Sequence, residues 1–330
     1  MRNQIRLNIT TNNWVIYAPE RGKRPKEHKI ENISREELPE YDDSCPFCLG
    51  NEDMLEEISS ELPAHNKEWK TRIVPNKYPV IDKSGDSHRS RDGIYLQAEG
   101  YGIHEVIIET PRHDIDIPQM DDNDVLSIIE TYHMRYVHHM QNQRNLMCIL
   151  FRNHGAKAGT SLIHPHSQMI VTGVVPQDIR MRETEAQRFY DRYLKCIYCR
   201  ILEKELEERK RIVYENDTIA AFVPYYAEVP FEIWIMPKAH QADFGDISLR
   251  EKHDLASALK QVLSKLYDKI DDLHYNYVIN TAPRYKQGEP QLHWFISIRP
   301  RLTTPAGFEI GSGISINPHL PEDDAKILNE

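Results

Sequence analysis

The sequence lacks long hydrophobic runs and a surplus of basic charge. No uninterrupted apolar stretch in its 330 residues approaches the ~18 residues of a membrane span, and residues 1–14 contain no apolar core of a secretory signal. Lysine and arginine number 41 against 51 aspartates and glutamates, whereas a general nucleic-acid binder usually presents a basic face. We therefore expect a cytoplasmic protein whose partners include neither a membrane nor a nucleic acid.

Cysteine is scarce as well, but its placement is informative. Four of the five cysteines form two Cys-x-x-Cys pairs, Cys45 with Cys48 and Cys196 with Cys199. Because no secretory signal is present, the pairs indicate metal binding or redox chemistry rather than disulfides. The fifth, Cys148, lies in an apolar run and is expected in the core.

The candidate catalytic residues are concentrated in residues 153–168, where a loop of small residues leads into alternating His164, His166 and Gln168. Alternate residues of an extended segment face the same side, and Pro165 favours extended geometry before it. Backbone N–H groups and hydroxyls hold phosphates, and an imidazole can react with one. The alternative is a surface strand that happens to carry two histidines.

An internal repeat runs through the chain. A glutamate and a histidine eight residues apart are followed forty residues later by an asparagine in both halves. Equal spacing over such a length predicts two copies of one α+β motif, residues 1–175 and residues 176–330, with an insertion between Asn51 and Gly102 in the first. The first copy contains Cys45-x-x-Cys48, Glu105, His113, Asn153 and His164-x-His166, and the second contains Cys196-x-x-Cys199, Glu232, His240, Asn280 and His293-x-Phe295.

Each copy offers two cysteines and two histidines as metal ligands. Four such ligands without a carboxylate suit a closed tetrahedral zinc site. A thioredoxin-like redox role is the alternative, but it would not need the histidines. The predicted ligands are Cys45, Cys48, His113 and His164 for one zinc and Cys196, Cys199, His240 and His293 for the other.

The two copies differ two residues after the last predicted ligand, where the first has His166 and the second has Phe295. Phenylalanine has no nucleophilic atom, so only the first copy is predicted to be catalytic. His166, neutral at about pH 7, would attack the α-phosphorus of a nucleotide diphosphate compound and form a nucleotidyl-histidine. Gln168 would donate to the non-bridging oxygens, and Ser161 would hold the leaving β-phosphate.

A helix is predicted over residues 121–143, capped by Asp121 or Asp122. It carries His133, His138 and His139, which we expect on a solvated or partner-facing surface.

These motifs resemble the galactose-1-phosphate uridylyltransferase family, a branch of the histidine-triad superfamily. The resemblance implies an α+β fold in which two histidine-triad-like repeats form an antiparallel half-barrel sheet with helices packed outside. It also implies a ping-pong reaction, in which UDP-glucose gives uridylyl-His166 and glucose-1-phosphate, and galactose-1-phosphate then takes the uridylyl group. The matching segments span nearly the whole chain and read ERGKRP, CPFC, VPNKYP, HEVIIETPRH, residues 153–168, VPFEIWIMPKAH and AGFEIGSG.

The resemblance further implies partners and contacts. The partners would be a nucleotide sugar, a sugar-1-phosphate and a second copy of the chain, because the family is typically dimeric and Phe308 would complete the partner's site. Arg21 and Arg24 also lie in a basic loop, which could clamp a phosphate or be a solvated charge run. The implied substrate contacts are Arg21, Arg24, Asn76, Asn153, Gly159, Ser161 and Gln168.

Departures from the family pattern leave other functions open. Ser167 replaces the glycine of the commoner HPHGQ motif, and no lysine precedes Phe308. The HPHSQ motif with paired metal sites is also similar to plant ADP-glucose phosphorylase, which transfers adenylyl to inorganic phosphate. Two further classes are a histidine-triad nucleotide hydrolase, whose intermediate water discharges, and a zinc-stabilised nucleotide-binding protein without turnover.

Overall fold

The structure is a computed structural model that describes residues 2–23, 38–63, 69–86 and 88–330. Its α-helices are α1 (Asp122–Met140), α2 (Gln177–Tyr193), α3 (Ile197–Glu208), α4 (Leu249–Lys269), α5 (Gly307–Ser312) and α6 (Pro321–Asn329). Its strands are β1 (Gln4–Asn8), β2 (Asn13–Tyr17), β3 (Ser60–Pro63), β4 (Trp69–Pro75), β5 (Arg89–Asp92), β6 (Tyr95–Ala98), β7 (Gly102–Ile108), β8 (Met147–His154), β9 (His166–Thr172), β10 (Ile212–Glu215), β11 (Ile219–Phe222), β12 (Ile233–Pro237), β13 (Tyr275–Asn280), β14 (Phe295–Pro300) and β15 (Ser315–Asn317).

A ten-stranded sheet in the order β10-β11-β12-β14-β13-β8-β9-β7-β4-β3 forms the centre of the fold. Every neighbouring pair in it is antiparallel. The predicted mixed fold with a large antiparallel sheet is therefore confirmed, and the sheet is open, with β3 and β10 at its edges. From one edge inward the strands are β3, β4, β7, β9 and β8, and from the other edge inward they are β10, β11, β12, β14 and β13. In both halves the last two strands are reversed relative to their order in the chain, and the halves meet where β8 pairs with β13.

Helices α1 and α4 cover one face of this sheet and form the main core with it. The buried residues of α4 include Leu255, Leu259, Val262 and Leu266, which recur at the three- and four-residue spacing of an amphipathic helix. Ser248 begins α4 with a capping box to Glu251, which satisfies exposed backbone N–H groups at the first turn. Among the residues that the structure describes, no helix has the length and apolar character needed to span a bilayer.

The opposite face is covered unequally in the two halves. Over the second half, α2 and α3 contribute Ala186 and Tyr198 to a cluster that also contains Trp234 and Phe295 of the sheet. On β8 and β9 of the first half, Phe151 and Gln168 remain partly exposed on that face. The first half therefore keeps an accessible sheet surface, which is where the predicted catalytic strand lies.

A small sheet brings the two ends of the described chain together. Strand β15 runs parallel to β2, which pairs antiparallel with β1. The Tyr17 hydroxyl donates to the carbonyl of Ala227 at 2.9 Å, and Val15 packs in the cluster of the second half. Strands β1 and β2 therefore pack against the second half of the ten-stranded sheet, although they lie at the start of the chain.

Three details differ from or refine the sequence analysis. Strand β3 pairs antiparallel with β4, with Ser60 opposite Ile73 and Leu62 opposite Thr71. The segment predicted as an insertion contains the hairpin β5–β6, whose residues are all exposed. Cys148 is 1% exposed, which confirms its predicted place in the core.

The expectation that all three α1 histidines lie on the surface is wrong for His139. It follows Tyr132 and Tyr136 on the buried side of the helix, and its Nε2 lies 3.0 Å from the Glu105 carboxylate. Burial alone would raise the pKa of Glu105, but hydrogen bonds from His139 and Arg135 outweigh it and hold that pKa at about 2. The periodicity of α1, not its charge, decides which histidine is buried.

Candidate active site

His166 is the first residue of β9 and lies at the end of the glycine-containing loop that follows β8. Its Nδ1–H donates to the carbonyl of His164 at 2.8 Å, and since a carbonyl can only accept, the proton of the neutral ring is on Nδ1. Burial lowers the pKa of His166, which favours this neutral form. The Nε2 atom therefore carries a lone pair and is the nitrogen able to attack phosphorus.

A cavity of about 810 Å³ adjoins His166. This volume is within the usual range for small-molecule sites. Asn153, Gly155, Ser161 and His166 line it on the side of the loop, and Tyr267 and His274 line it on the other. The structure therefore brings together three of the predicted site residues, namely His166, Asn153 and Ser161.

Side chains from β13 and the segment before it hold the loop in place. Asn276 Nδ2 donates to Asn153 Oδ1 at 2.7 Å and to the carbonyl of Ala158 at 2.9 Å. Lys157 Nζ is 2.8 Å from Asp272 Oδ2. These contacts position the backbone of the loop before any ligand binds.

Gly155 is required by the close approach of this loop to His274. Its φ is +81°, and a Cβ atom built on it would lie 1.7 Å from His274 Nδ1. The His274 ring is 7% exposed, and its Nε2 lies 3.1 Å from Asp272 Oδ2, so the ring has little room to move away. Gly159, at φ +88°, has open space where a Cβ would be.

The four residues of the first predicted metal site come together near His166. Cys45, Cys48, His113 and His164 are buried, and their ligand atoms lie within 4.8 Å of one another. Cys48 Sγ is 3.5 Å from His113 Nδ1 and 3.6 Å from His164 Nδ1. His164 Nε2 is 2.7 Å from the carbonyl of Thr110, which leaves Nδ1 as the nitrogen that faces the sulfurs.

The second predicted set, Cys196, Cys199, His240 and His293, forms a corresponding cluster. Cys199 Sγ is 3.3 Å from His240 Nδ1 and 3.4 Å from His293 Nδ1. His293 Nε2 lies 3.1 Å from the carbonyl of Pro237, which is three residues before His240, as Thr110 is three residues before His113. This donor set, two thiols and two imidazoles within reach of one atom, fits a tetrahedral metal ion.

Asn76, Gln168, Arg21 and Phe308, which were also predicted to contact substrate, are not among the residues that line the cavity. Asn76 Nδ2 is 3.5 Å from Gln168 Oε1 on the accessible sheet face, so these two predicted residues are neighbours in the structure. Arg21 is exposed after β2, beside the small sheet rather than on the ten-stranded one, and Arg24 lies outside the described residues. Phe308 is 53% exposed on α5.

The sequence analysis did not predict the buried polar network beneath β9. Ser167 points away from the cavity, and its Oγ donates to Glu109 beside the hydroxyl of Tyr132. Arg152 bridges Glu109 at 2.8 Å and Asp116 at 2.6 Å, all almost fully buried. The serine that departs from HPHGQ therefore has a partner, a buried carboxylate. The alternation of β9 indicated its direction, but the sequence does not show that Glu109 lies opposite it.

Comparison with known proteins defines the class of protein to which this fold and site belong. Residues 1–176 match the family model of the galactose-1-phosphate uridyl transferase N-terminal domain, and residues 150–302 match that of its C-terminal domain. An ADP-glucose phosphorylase of Arabidopsis thaliana is 34% identical over 99% of this chain and 92% of its own length. A galactose-1-phosphate uridylyltransferase of Thermotoga maritima is 30% identical over 99% of this chain and 98% of its own.

Solved structures of similar proteins have the same fold. The crystal structure of an ADP-glucose phosphorylase from Arabidopsis thaliana with bound ADP-glucose superposes with a TM-score of 0.86 at 32% identity, covering 100% of this chain and 99% of that one. A uridylyltransferase structure gives a TM-score of 0.75 at 26% identity, covering 98% of this chain and 97% of that one. The protein is an enzyme of the nucleotidyltransferase class. It belongs to the galactose-1-phosphate uridylyltransferase family, which confirms the resemblance drawn from its motifs.

We predict that Gly155→Ala destabilises the protein much more than Gly159→Ala. Both changes place a side chain at positive φ, which costs about 1–2 kcal/mol, but only Gly155→Ala also drives a Cβ into a buried ring. Thermal unfolding of the two variants beside the wild type measures the difference. Equal melting temperatures for the two variants would show that the loop does not pack on His274 as described.

Proposed function

We propose that this enzyme transfers a nucleotidyl group from a nucleoside-diphosphate sugar to a phosphorylated acceptor through a covalent intermediate on His166. The observation that carries the proposal is the hydrogen bond from His166 Nδ1 to the His164 carbonyl, which leaves Nε2 unprotonated beside the cavity. Sequence similarity to two kinds of nucleotidyltransferase supports it.

In the first step, His166 Nε2 attacks the α-phosphorus, a P–N bond forms, and the bond from that phosphorus to the bridging oxygen breaks. The sugar-1-phosphate leaves with that oxygen. The ring gains positive charge as the bond forms, and the Nδ1–H bond to the His164 carbonyl stabilises that charge. Gln168 donates to the non-bridging oxygens, and Ser161 at the cavity binds the leaving phosphate.

In the second step, a phosphate oxygen of the acceptor attacks the same phosphorus, and the P–N bond breaks. This regenerates neutral His166. We assign substrate binding to Asn76, Asn153 and Gly159 of this chain and to Arg21 and Arg24 of the basic loop.

The donor and acceptor that we place first are UDP-glucose and galactose-1-phosphate, as in the uridylyltransferases of the family. A specific observation favours a second pair, ADP-glucose and inorganic phosphate. The Arabidopsis ADP-glucose phosphorylase is 34% identical to this chain, and the crystal structure of an ADP-glucose phosphorylase from Arabidopsis thaliana with bound ADP-glucose superposes on it with a TM-score of 0.86.

Brief mixing with donor is predicted to add one nucleotidyl group to the chain. Intact-mass spectrometry after mixing with UDP-glucose or, separately, ADP-glucose should show a uridylyl or an adenylyl adduct, and His166→Ala should show neither. Loss of a uridylyl adduct on adding galactose-1-phosphate supports the first pair, and loss of an adenylyl adduct on adding inorganic phosphate supports the second.

Two outcomes of that experiment would contradict the proposal. An adduct that water discharges as fast as any acceptor does would identify a hydrolase. No adduct from either donor, despite measurable binding, would identify a nucleotide-binding protein without turnover.

We further propose that both Cys/His clusters bind zinc in structural sites. Thiolate and imidazole ligands without a carboxylate suit zinc, and closed four-ligand sites contribute directly to folding. The first ion would anchor His164, whose carbonyl orients the nucleophile. The second would be purely structural, because Phe295 occupies the position that corresponds to His166.

Metal analysis should find two zinc ions per wild-type chain and one in Cys196→Ser. This variant should melt at a lower temperature while turnover per folded molecule changes little, since its cluster belongs to the half that lacks a nucleophile. The control is Cys148→Ala, which removes a buried cysteine outside both clusters and should keep both ions. Normal metal content in Cys196→Ser would rule out the second site.

We also propose that the chain is a duplication of a histidine-triad-like unit, residues 1–175 and 176–330, whose joined sheets form a half-barrel. The matching strand order of the two halves supports this. So does the matching carbonyl contact of His164 and His293.

A homodimer completes the proposed site. Phe308 and Ile310 on α5 are 53% and 77% exposed, an apolar pair that water would solvate poorly in a monomer. We place Phe308 at the active site of the second copy.

Phe308→Ala is therefore predicted to lower kcat/KM by about tenfold or more, as loss of an aromatic anchor does at interfaces. Leu249→Ala, which truncates a side chain 71% exposed at the start of α4, should leave it unchanged. Sedimentation should give twice the mass of the 38.7 kDa chain. A fully active monomer would contradict the shared site.

A further inference from the structure

His104 has no part in the mechanism described above, yet it is buried beside Gln168. It lies on β7, which pairs with the catalytic strand β9, and its side chain is 8% exposed. His104 Nε2 is 2.8 Å from Gln168 Oε1. Gln168 is the residue to which the proposed function assigns hydrogen bonds to the non-bridging phosphate oxygens.

The contact of His104 Nδ1 determines which nitrogen of the ring carries the proton. The backbone N–H of Val80 points at Nδ1 at 3.3 Å, and because an N–H can only donate, Nδ1 must accept. In the neutral ring the proton is then on Nε2. The Nε2–H therefore donates to Gln168 Oε1.

Asn76 is oriented in the same way by a second backbone group. The N–H of Tyr78 donates to Asn76 Oδ1 at 2.8 Å, which turns Asn76 Nδ2 toward Gln168 Oε1, 3.5 Å away. Asn76 Nδ2 and His104 Nε2 are 3.2 Å apart, but both carry hydrogens in this arrangement and so share the Gln168 oxygen rather than bond to each other. The backbone bond from Asn76 N–H to the carbonyl of His104, 2.9 Å, keeps the two segments in register.

These contacts determine which end of the Gln168 amide faces the site. A glutamine amide has nearly the same shape in its two flipped orientations, so neighbours must select one. Here two donors occupy the two lone pairs of Oε1. The NH₂ group remains for the substrate, and it offers hydrogen bonds to an anion, whereas the flipped amide would turn an oxygen toward the phosphate and repel it.

We propose that His104 and Asn76 are positioning residues that hold Gln168 as a donor toward the phosphorus being transferred. The inference rests on the proposed function, because Gln168 needs a fixed donor orientation only if charge develops on that phosphoryl group. His104 does not touch substrate and acts through Gln168.

The test measures the rate of His166 nucleotidylation in a single turnover with whichever donor forms the adduct. His104→Phe keeps the volume of the ring and removes both nitrogens, so the rate should fall about tenfold, part of the 10²–10³-fold lost when such a donor is removed outright. KM should change little, because the developing charge is affected more than ground-state binding. His104→Gln offers one acceptor and one donor and should recover much of the rate.

A double-mutant cycle separates positioning from a general structural role. If His104 acts through Gln168, then His104→Phe should have almost no further effect in a Gln168→Ala background. His253→Phe, at an exposed histidine of α4, is the matched control and should leave the rate unchanged. Thermal unfolding of every variant reports whether its fold is retained.

Several outcomes would overturn the inference. These are an unchanged rate in folded His104→Phe, an equal loss in the presence and absence of Gln168, or no recovery in His104→Gln. Failure of the proposed function is a separate result, since it appears as the absence of any adduct in the wild type.

Discussion

A neutral imidazole has one protonated and one unprotonated nitrogen. The chemistry open to His166 depends on which of its two nitrogens carries the proton. The carbonyl of His164 settles the matter by accepting from Nδ1 at 2.8 Å. The side chain of the same residue turns the other way, into the Cys45 and Cys48 cluster, and its Nε2 lies 2.7 Å from the carbonyl of Thr110. A short extended segment thereby joins His166 to the Cys/His cluster, and a hydrogen bond to the backbone of that segment fixes which ring nitrogen of His166 is protonated.

Strand alternation divides the chemistry between the two faces of the sheet. On the accessible face, His166 and Gln168 stand two residues apart on β9, with His104 on the adjacent strand. On the other face, Ser167 and Arg152 bind the buried Glu109 carboxylate. Burying this network in low dielectric is costly unless every charge has a partner, and here Arg152 lies between two carboxylates. The same strand therefore carries His166 and Gln168 on one side and a buried polar network on the other.

The two halves share a strand order and an arrangement of two cysteines and two histidines, but they differ in what covers the sheet face opposite α1 and α4. Helices α2 and α3 close it over the second half, where Phe295 packs on Trp234 with ring centroids 4.3 Å apart. Over the first half the face stays accessible, and the cavity lies at its end. Phe295 follows His293 by two residues, as His166 follows His164, so the second half has apolar packing at the position where the first half has a histidine.

Local sequence determined much of this protein. The spacing of Cys45, Cys48, His113 and His164 predicted a cluster because ligand chemistry is specific, and the alternation of His164, His166 and Gln168 predicted a shared face because extended chains repeat every two residues. Only the tertiary structure decided that Gly155 must pass close to His274 and that Glu109 meets Ser167. The same holds for His104 and Asn76 around Gln168, since their orientation depends on backbone N–H groups of Tyr78 and Val80. The Tyr78 bond to Asn76 is local, but Asn76 and Gln168 are 92 positions apart, and no local propensity encodes a contact over such a distance.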